Sequence, residues 1–171
     1  MTAIVQANGS GVYTVANLQT GTGRTVFGGW ALHVVYRDPA APLRLVALSD
    51  QITTVNRGGS ASLTLPGLAP STVDRPSTLS FAAVEGDYGL LPETASANGV
   101  ALANPLNPVD NPFNGSISSP AARAPAFVNN FGFDADQFAV TVPAGATEVV
   151  IDMSSSQDRF RLGTVGLVVP L

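Results

Sequence analysis

Apolar and polar residues alternate along most of this chain in short stretches, the spacing of a β-strand, whose successive side chains point to opposite faces. The longest such pattern covers residues 28–50, GGWALHVVYRDPAAPLRLVALSD. Trp30, Leu32, Val34 and Tyr36 alternate with Ala31, His33, Val35 and Arg37. One face is large and apolar; the other is mixed, which places the strand between two layers. Asp38-Pro39-Ala40-Ala41-Pro42 ends it, since proline has no amide hydrogen and holds its predecessor extended. A second arm then sets Leu43, Leu45 and Ala47 against Arg44, Val46 and Leu48. The pattern predicts a hairpin at the centre of the fold.

The same reading predicts strands over residues 3–7 and 12–19, separated by the turn Asn8-Gly9-Ser10-Gly11, with a loop over residues 20–23. Further strands follow over 52–55, 60–65 and 78–84, the last ending at Glu85-Gly86-Asp87. Residues 86–125, rich in Gly, Pro, Asn and Ser, read as long loops with short strands near 100–103 and 113–118. Residues 138–142, 147–153 and 159–169 read as closing strands, with a helical turn allowed around 134–137. No stretch sustains a helical period, and no internal repeat is visible. Many short strands between turn signals define an all-β fold. An immunoglobulin-type sandwich takes about 100 residues, so this longer chain is expected to form a two-sheet, jelly-roll-like β-sandwich, one domain over residues 1–171.

Composition removes several classes of function. Charged residues are 12% of the chain, against roughly 25% in an ordinary globular domain. The net charge of −4 disfavours a nucleic-acid partner. No apolar run approaches the ~18 residues of a membrane helix, so membrane insertion is not expected. Every basic residue is arginine, which rules out a lysine Schiff base, a P-loop lysine and a lysine isopeptide bond. Without cysteine there is no disulfide and no thiolate zinc site.

No nucleophile, base and orienting group come together in the sequence, and a non-enzymatic protein is expected. His33, the single histidine, lies mid-strand and reads as structural. The acidic residues offer more. Asp134 and Asp136 lie two apart in FGFDADQF and share a face if extended. Glu85 and Asp87 do the same, and Asp110 lies in a loop within reach of either pair. Calcium takes oxygen ligands from carboxylates and carbonyls, which makes Glu85, Asp87, Asp110, Asp134 and Asp136 the candidate metal ligands and calcium the candidate cofactor. The plainer reading is that these side chains cap turns. A glycosidase would need two carboxylates facing each other across a substrate cleft. Leu91-Pro92-Glu93-Thr94-Ala95 matches a sortase signal but lacks the following apolar and basic segments, so it reads as a loop. Exposed aromatics stacking on sugar rings would make the chain a carbohydrate-binding module.

The order of segments GSGVYTVANLQTGTG, GGWALHVVYRDPAAPLRLVALSD, VEGD, DNPFNGSIS, GFDADQF and DRFRLGTVGLVV resembles a β-sandwich module of large secreted or surface-anchored bacterial proteins that often carry DUF11-type repeats. The resemblance implies an extracellular or cell-surface, non-enzymatic structural or adhesive module and supplies no catalytic residues. In that family a second Gly-Asp often follows VEGD; Tyr88-Gly89-Leu90-Leu91-Pro92 stands there in this chain, which weakens a metal role for Glu85 and Asp87. Members also have strands before the segment resembling AIVQANGSGVYTVANLQ. Two readings follow: a fragment lacking N-terminal strands, with the signal peptide not in this chain, or a complete monomeric sandwich whose first strand is residues 3–7. The chain's expected partners are other protein chains or copies of itself, joined through sheet edges, and a glycan in the alternative reading.

Overall fold

The computed structural model describes residues 1–23, 26, 28–119 and 127–171, which fall into two units, Met1–Trp30 and Ala31–Leu171. In the first unit, residues 3–7 belong not to a strand but to a helix, α1 (Thr2–Asn8), none of whose residues is buried. Five alternating residues are too few to separate the two periods, and Asn8 settles the end by donating from Nδ2 to the Ile4 carbonyl at 2.8 Å. Gly9 follows at φ 61°, a positive φ open to glycine at little cost, and its N–H donates to the Val5 carbonyl. Residues 12–19 form no strand.

Among the described residues the second unit holds all the strands: β1 (Arg44–Ser49), β2 (Thr53–Val55), β3 (Gly59–Pro66), β4 (Arg75–Val84), β5 (Glu93–Ala97), β6 (Val100–Ala101), β7 (Phe133–Val142), β8 (Glu148–Ser155) and β9 (Phe160–Pro170). One sheet runs β1-β9-β4-β7, with β2 also on β9; the other runs β3-β8-β5-β6. The pairings are nested. β5 pairs with β6, β4 with β7, β3 with β8, and β1 and β2 with β9, all antiparallel. This is one long hairpin with its tip at Asn98-Gly99, rolled up until β4 meets β9 and β5 meets β8. The two packed antiparallel sheets are a β-sandwich, with the strand order of a jelly roll.

The expected central hairpin does not form. Its first arm, residues 30–37, contains no strand, and Val34, Val35 and Tyr36 are exposed. Its second arm is β1, which pairs with β9 in the register Arg44↔Pro170 to Ser49↔Val165. Alternation marks a segment that suits a strand; it does not say which strand lies beside it. The region 86–125, insofar as it is described, is less open than expected. Residues 93–97 form β5, residues 113–118 make only the isolated bridge Ile117↔Ala135, and residues 134–137 are part of β7 with no helical turn. Residues 120–125 lie outside the described ones.

β9 explains a change of phase in FRLGTVGLVV. Phe160 and Leu162 point inward, and so do Val165, Leu167 and Val169. The shift falls at Gly163-Thr164, where the β4–β9 register slips between Phe81 and Ala83. An extra residue re-aims every side chain beyond it. The first strand breaks at the same level: β2 pairs with Thr53↔Leu162 to Val55↔Phe160, and β1 with the residues after the slip.

The core lies between the sheets. Leu79, Phe81, Phe138, Leu167 and Val169 from one meet Leu63, Leu65, Val149, Ile151 and Met153 from the other. Phe113 enters from a loop and stacks on Phe160 at 4.0 Å between ring centroids, with Phe81 at 5.0 Å. Truncating a buried Phe removes its transfer free energy and leaves a cavity. Phe113→Ala should therefore cost about 3–5 kcal/mol, read as a lower urea midpoint with unchanged slope. A cost under about 1 kcal/mol, the scale of an ordinary surface change, would mean that the loop is not anchored through this ring.

Candidate functional site

Two regions of the second unit have features beyond packing. The first is one end of the sandwich, where turns at residues 85–88, 111–116, 129–132 and 156–159 gather. Glu85 N–H donates to the Gly132 carbonyl at 2.6 Å, Asp87 N–H to Asp158 Oδ2 at 3.1 Å, and Asn130 N–H to the Gly115 carbonyl at 2.7 Å.

Asp134 and Asp136 share the inner face of β7, as their spacing requires, and both are 0% exposed. Both hold the same loop, at two points. Asp134 Oδ1 accepts the Gly115 N–H at 2.7 Å; Asp136 Oδ1 accepts the Ser118 N–H at 3.1 Å and the Ser118 hydroxyl at 2.7 Å. Asparagine and serine side chains complete the network: Ser116 Oγ donates to Asn107 Oδ1, Asn114 Nδ2 to the Leu106 carbonyl, and Asn111 Nδ2 to the carbonyls of Asp87 and Tyr88. A loop cannot be buried unless its peptide groups find partners, and DNPFNGSIS supplies them from its own polar side chains and from the two aspartates. Gly86 is required here, because a Cβ would collide with the Phe113 carbonyl and Asp134 Oδ2.

The other candidate ligands stand apart. Asp87 and Asp110 are exposed and contribute backbone atoms; the Asp110 carbonyl accepts the Glu93 N–H at 2.8 Å. Glu85 is half-buried at φ 74°, so it does not continue the strand to share a face with Asp87. Among the described residues, no three acidic or histidine side chains are placed so that they could hold a metal ion. His33 is half-buried, and burial lowers its pKa.

Sequence reasoning missed Glu93 and Asp158. Glu93 sits in the sortase-like match, which is not a loop but the start of β5, and is 0% exposed. Its Oε1 is 3.5 Å from Ser155 Oγ, and its Oε2 meets no donor. Burial, then the charges of Asp158 and Asp134, push its pKa up to about 9. Burial also raises Asp134, with Asp136 adding repulsion, and raises Asp136 and Asp158 against their hydrogen bonds. One oxygen each of Glu85, Glu93, Asp134 and Asp136 meets no hydrogen-bond donor, which disfavours the charged form in the same direction as burial. Two aromatic side chains project from this end: Phe131, 99% exposed at φ 57°, and Tyr88, 63% exposed.

The second region is the open side of the roll. β1 ends one sheet and β3 ends the other. Between them runs a groove of about 450 Å³, lined by residues 45–49 and 64–67. Val46 and Leu48 are exposed along it, at 40% and 51%. No helix among the described residues is long and apolar enough to cross a membrane.

In comparison with known proteins, the chain matches no family model and no curated protein. Among solved structures it is similar to BuGH86 in complex with neoagarooctaose, at 14% identity and TM-score 0.46 over 74% of this chain and 18% of that one. It is also similar to dimeric latent PorU from Porphyromonas gingivalis, at 12% identity and TM-score 0.39 over 76% of this chain and 13% of that one. A third is the infectious bursal disease virus Gt strain, at 11% identity and TM-score 0.42 over 81% of this chain and 36% of that one. The chain thus spans a minor part of each, and likeness at this level carries no argument about function.

The carboxyl cluster makes a pH prediction. Below the ordinary glutamate value of 4.5, Glu93 is protonated whether the chain is folded or not. Between there and about 9 only the unfolded chain releases the proton, so stability falls as pH rises. The slope is at most about 1.4 kcal/mol per pH unit for one group. Thermal melts between pH 5 and pH 9 should show a declining midpoint, and Glu93→Gln, which keeps the shape without the charge, should flatten the decline. An unchanged slope in the variant would show that Glu93 ionises freely in the folded chain.

Proposed function

We propose that this chain is a non-enzymatic structural or adhesive module of a secreted or cell-surface bacterial protein, and that it works by accepting another strand at the open edge of β1. The observation that carries this reading is that edge: unpaired among the described residues, flanked by a groove and bearing exposed Val46 and Leu48. A free edge presents peptide N–H and C=O groups that another strand can use. The all-arginine, cysteine-free, low-charge composition and the resemblance to surface modules support it. The buried carboxyls serve the scaffold in this reading, because Asp134 and Asp136 hold a loop. The test is amide hydrogen exchange with and without a generic peptide of alternating Thr and Val. The Val46 and Leu48 amides should exchange fast in the dilute chain and slow on adding the peptide. Slow exchange in the dilute chain alone would mean that the edge is already covered, and would remove the reading.

A carbohydrate-binding module is the second reading, favoured by Phe131 and Tyr88, whose rings emerge from neighbouring turns. Aromatic faces stack on the apolar faces of sugars. A glycan array should then show binding that Tyr88→Ala and Phe131→Ala each weaken by at least about tenfold, roughly 1.4 kcal/mol. Binding indifferent to both would place the sugar elsewhere, and no binding would retire this reading.

A further inference from the structure

We propose that the strand received by β1 is β1 of a second copy, paired antiparallel about a two-fold axis through Ala47. This rests on the edge-assembly reading above and names its partner.

The backbone decides which peptide groups are available. Leu171 donates its N–H to the Leu43 carbonyl at 3.3 Å, next to the pair Arg44↔Pro170. Hydrogen-bonded and non-hydrogen-bonded pairs alternate along an antiparallel ladder. Leu43, Leu45, Ala47 and Ser49 therefore direct their peptide groups to β9. Pro170, which has no N–H to give, falls opposite Arg44 in a non-hydrogen-bonded pair. The N–H and C=O groups of Arg44, Val46 and Leu48 point away from the sheet, and Asp50 is the first residue beyond the end of β1. No other described strand pairs with them.

Two such edges can meet with these groups facing one another about an axis at Val46, Ala47 or Leu48. The side chains choose among the three. An axis at Val46 sets Arg44 against Leu48, and one at Leu48 sets Asp50 against Val46. The axis at Ala47 sets Arg44 against Asp50 and Val46 against Leu48. Within β1, exposed Arg44, Val46 and Leu48 alternate with the less exposed Leu45, Ala47 and Ser49, so they lie on the outer face, and exposed Asp50 comes next in that alternation, just past Ser49. Directly opposed side chains of an antiparallel pair share a face. The dimer then carries two Arg–Asp pairs around two Val–Leu pairs, an isologous contact in which each copy supplies both halves. Natural edges are commonly guarded by charges that repel a second strand; here the charges stand at the two ends, equidistant from Ala47 and opposite in sign, and admit one register.

Sedimentation equilibrium of the whole chain from micromolar to millimolar concentration, at low salt, should show a monomer–dimer equilibrium. Arg44→Asp and Asp50→Arg each replace two attractive contacts with two repulsive ones and should raise the dissociation constant by about tenfold or more. The double variant restores opposite charges and should recover most of the affinity, as should a mixture of the two single variants. These substitutions are on exposed side chains, so folding is not at issue. Ala47→Cys supplies the chain's only thiol, and at a non-hydrogen-bonded pair on the axis, Cα atoms about 4.5 Å apart suit a disulfide. It should cross-link the dimer on mild oxidation. A monomer throughout the range overturns the inference. So does a dimer that ignores charge reversal and does not cross-link through Ala47→Cys. If the Thr-Val peptide still protects Val46 and Leu48 in either case, the edge accepts strands and only the identity of the partner is wrong. If the chain's own residues 31–37 occupy the edge, the dilute chain protects those amides and both readings fall together.

Discussion

Everything in the second unit depends on the two sides of β9. One side takes β1 and β2 and the other takes β4, so this strand joins the open end of the long hairpin to its middle. Its slip at Gly163-Thr164 lets a single strand serve partners in two phases, and it keeps Phe160, Leu162, Val165, Leu167 and Val169 in the core throughout. The broken first strand is the counterpart of that slip. The open edge of β1 follows as well, because β9 can bond only one of its two sides.

The loop between β6 and β7 is the second constraint. β7 ends its sheet, and residues 116–119 lie along part of it, with the Ala135 carbonyl accepting N–H groups from Ser118 and Ser119. Buried carboxylates are costly. At Asp134 and Asp136 donors drawn from the loop offset part of that cost, and these side chains act as fixed acceptors for loop N–H groups. The roll's two open sides are thereby unlike: loop residues shield one, and the other ends in β1 and β3.

Much of this was legible from alternation. Residues 60–65 and 78–84 fall in β3 and β4, and 147–153 and 159–169 overlap β8 and β9 from one residue before each, because each has one wet and one dry face, or two dry ones. The failures have separate physical causes. Residues 93–97 and 133–137 were hidden because Glu93, Asp134 and Asp136 are charged in type but buried in place, which inverts the pattern. Residues 30–37 alternate as a strand does, yet pairing is a property of the neighbour and not of the segment. The shared face of Asp134 and Asp136 could be read from their spacing. Their task could not, because the groups they hold are peptide N–H groups far along the chain. Glu93 and Asp158 gave no signal, since nothing local brings Glu93 to Asp134 and Asp158.

The nesting of strand pairs also fixes an order of events in time. β5 and β6 are neighbours in the chain, but β1 must wait for residues 165–170, at the far end of the unit. Contacts of such separation form slowly, and the unpaired strands are exposed meanwhile to association with other chains. On a ribosome or through a secretion pore, the first strands to emerge are the last to be satisfied. The roll therefore closes only after its whole length is free, and any factor that keeps the early strands apart until then has more influence on the yield of folded protein than on its final stability.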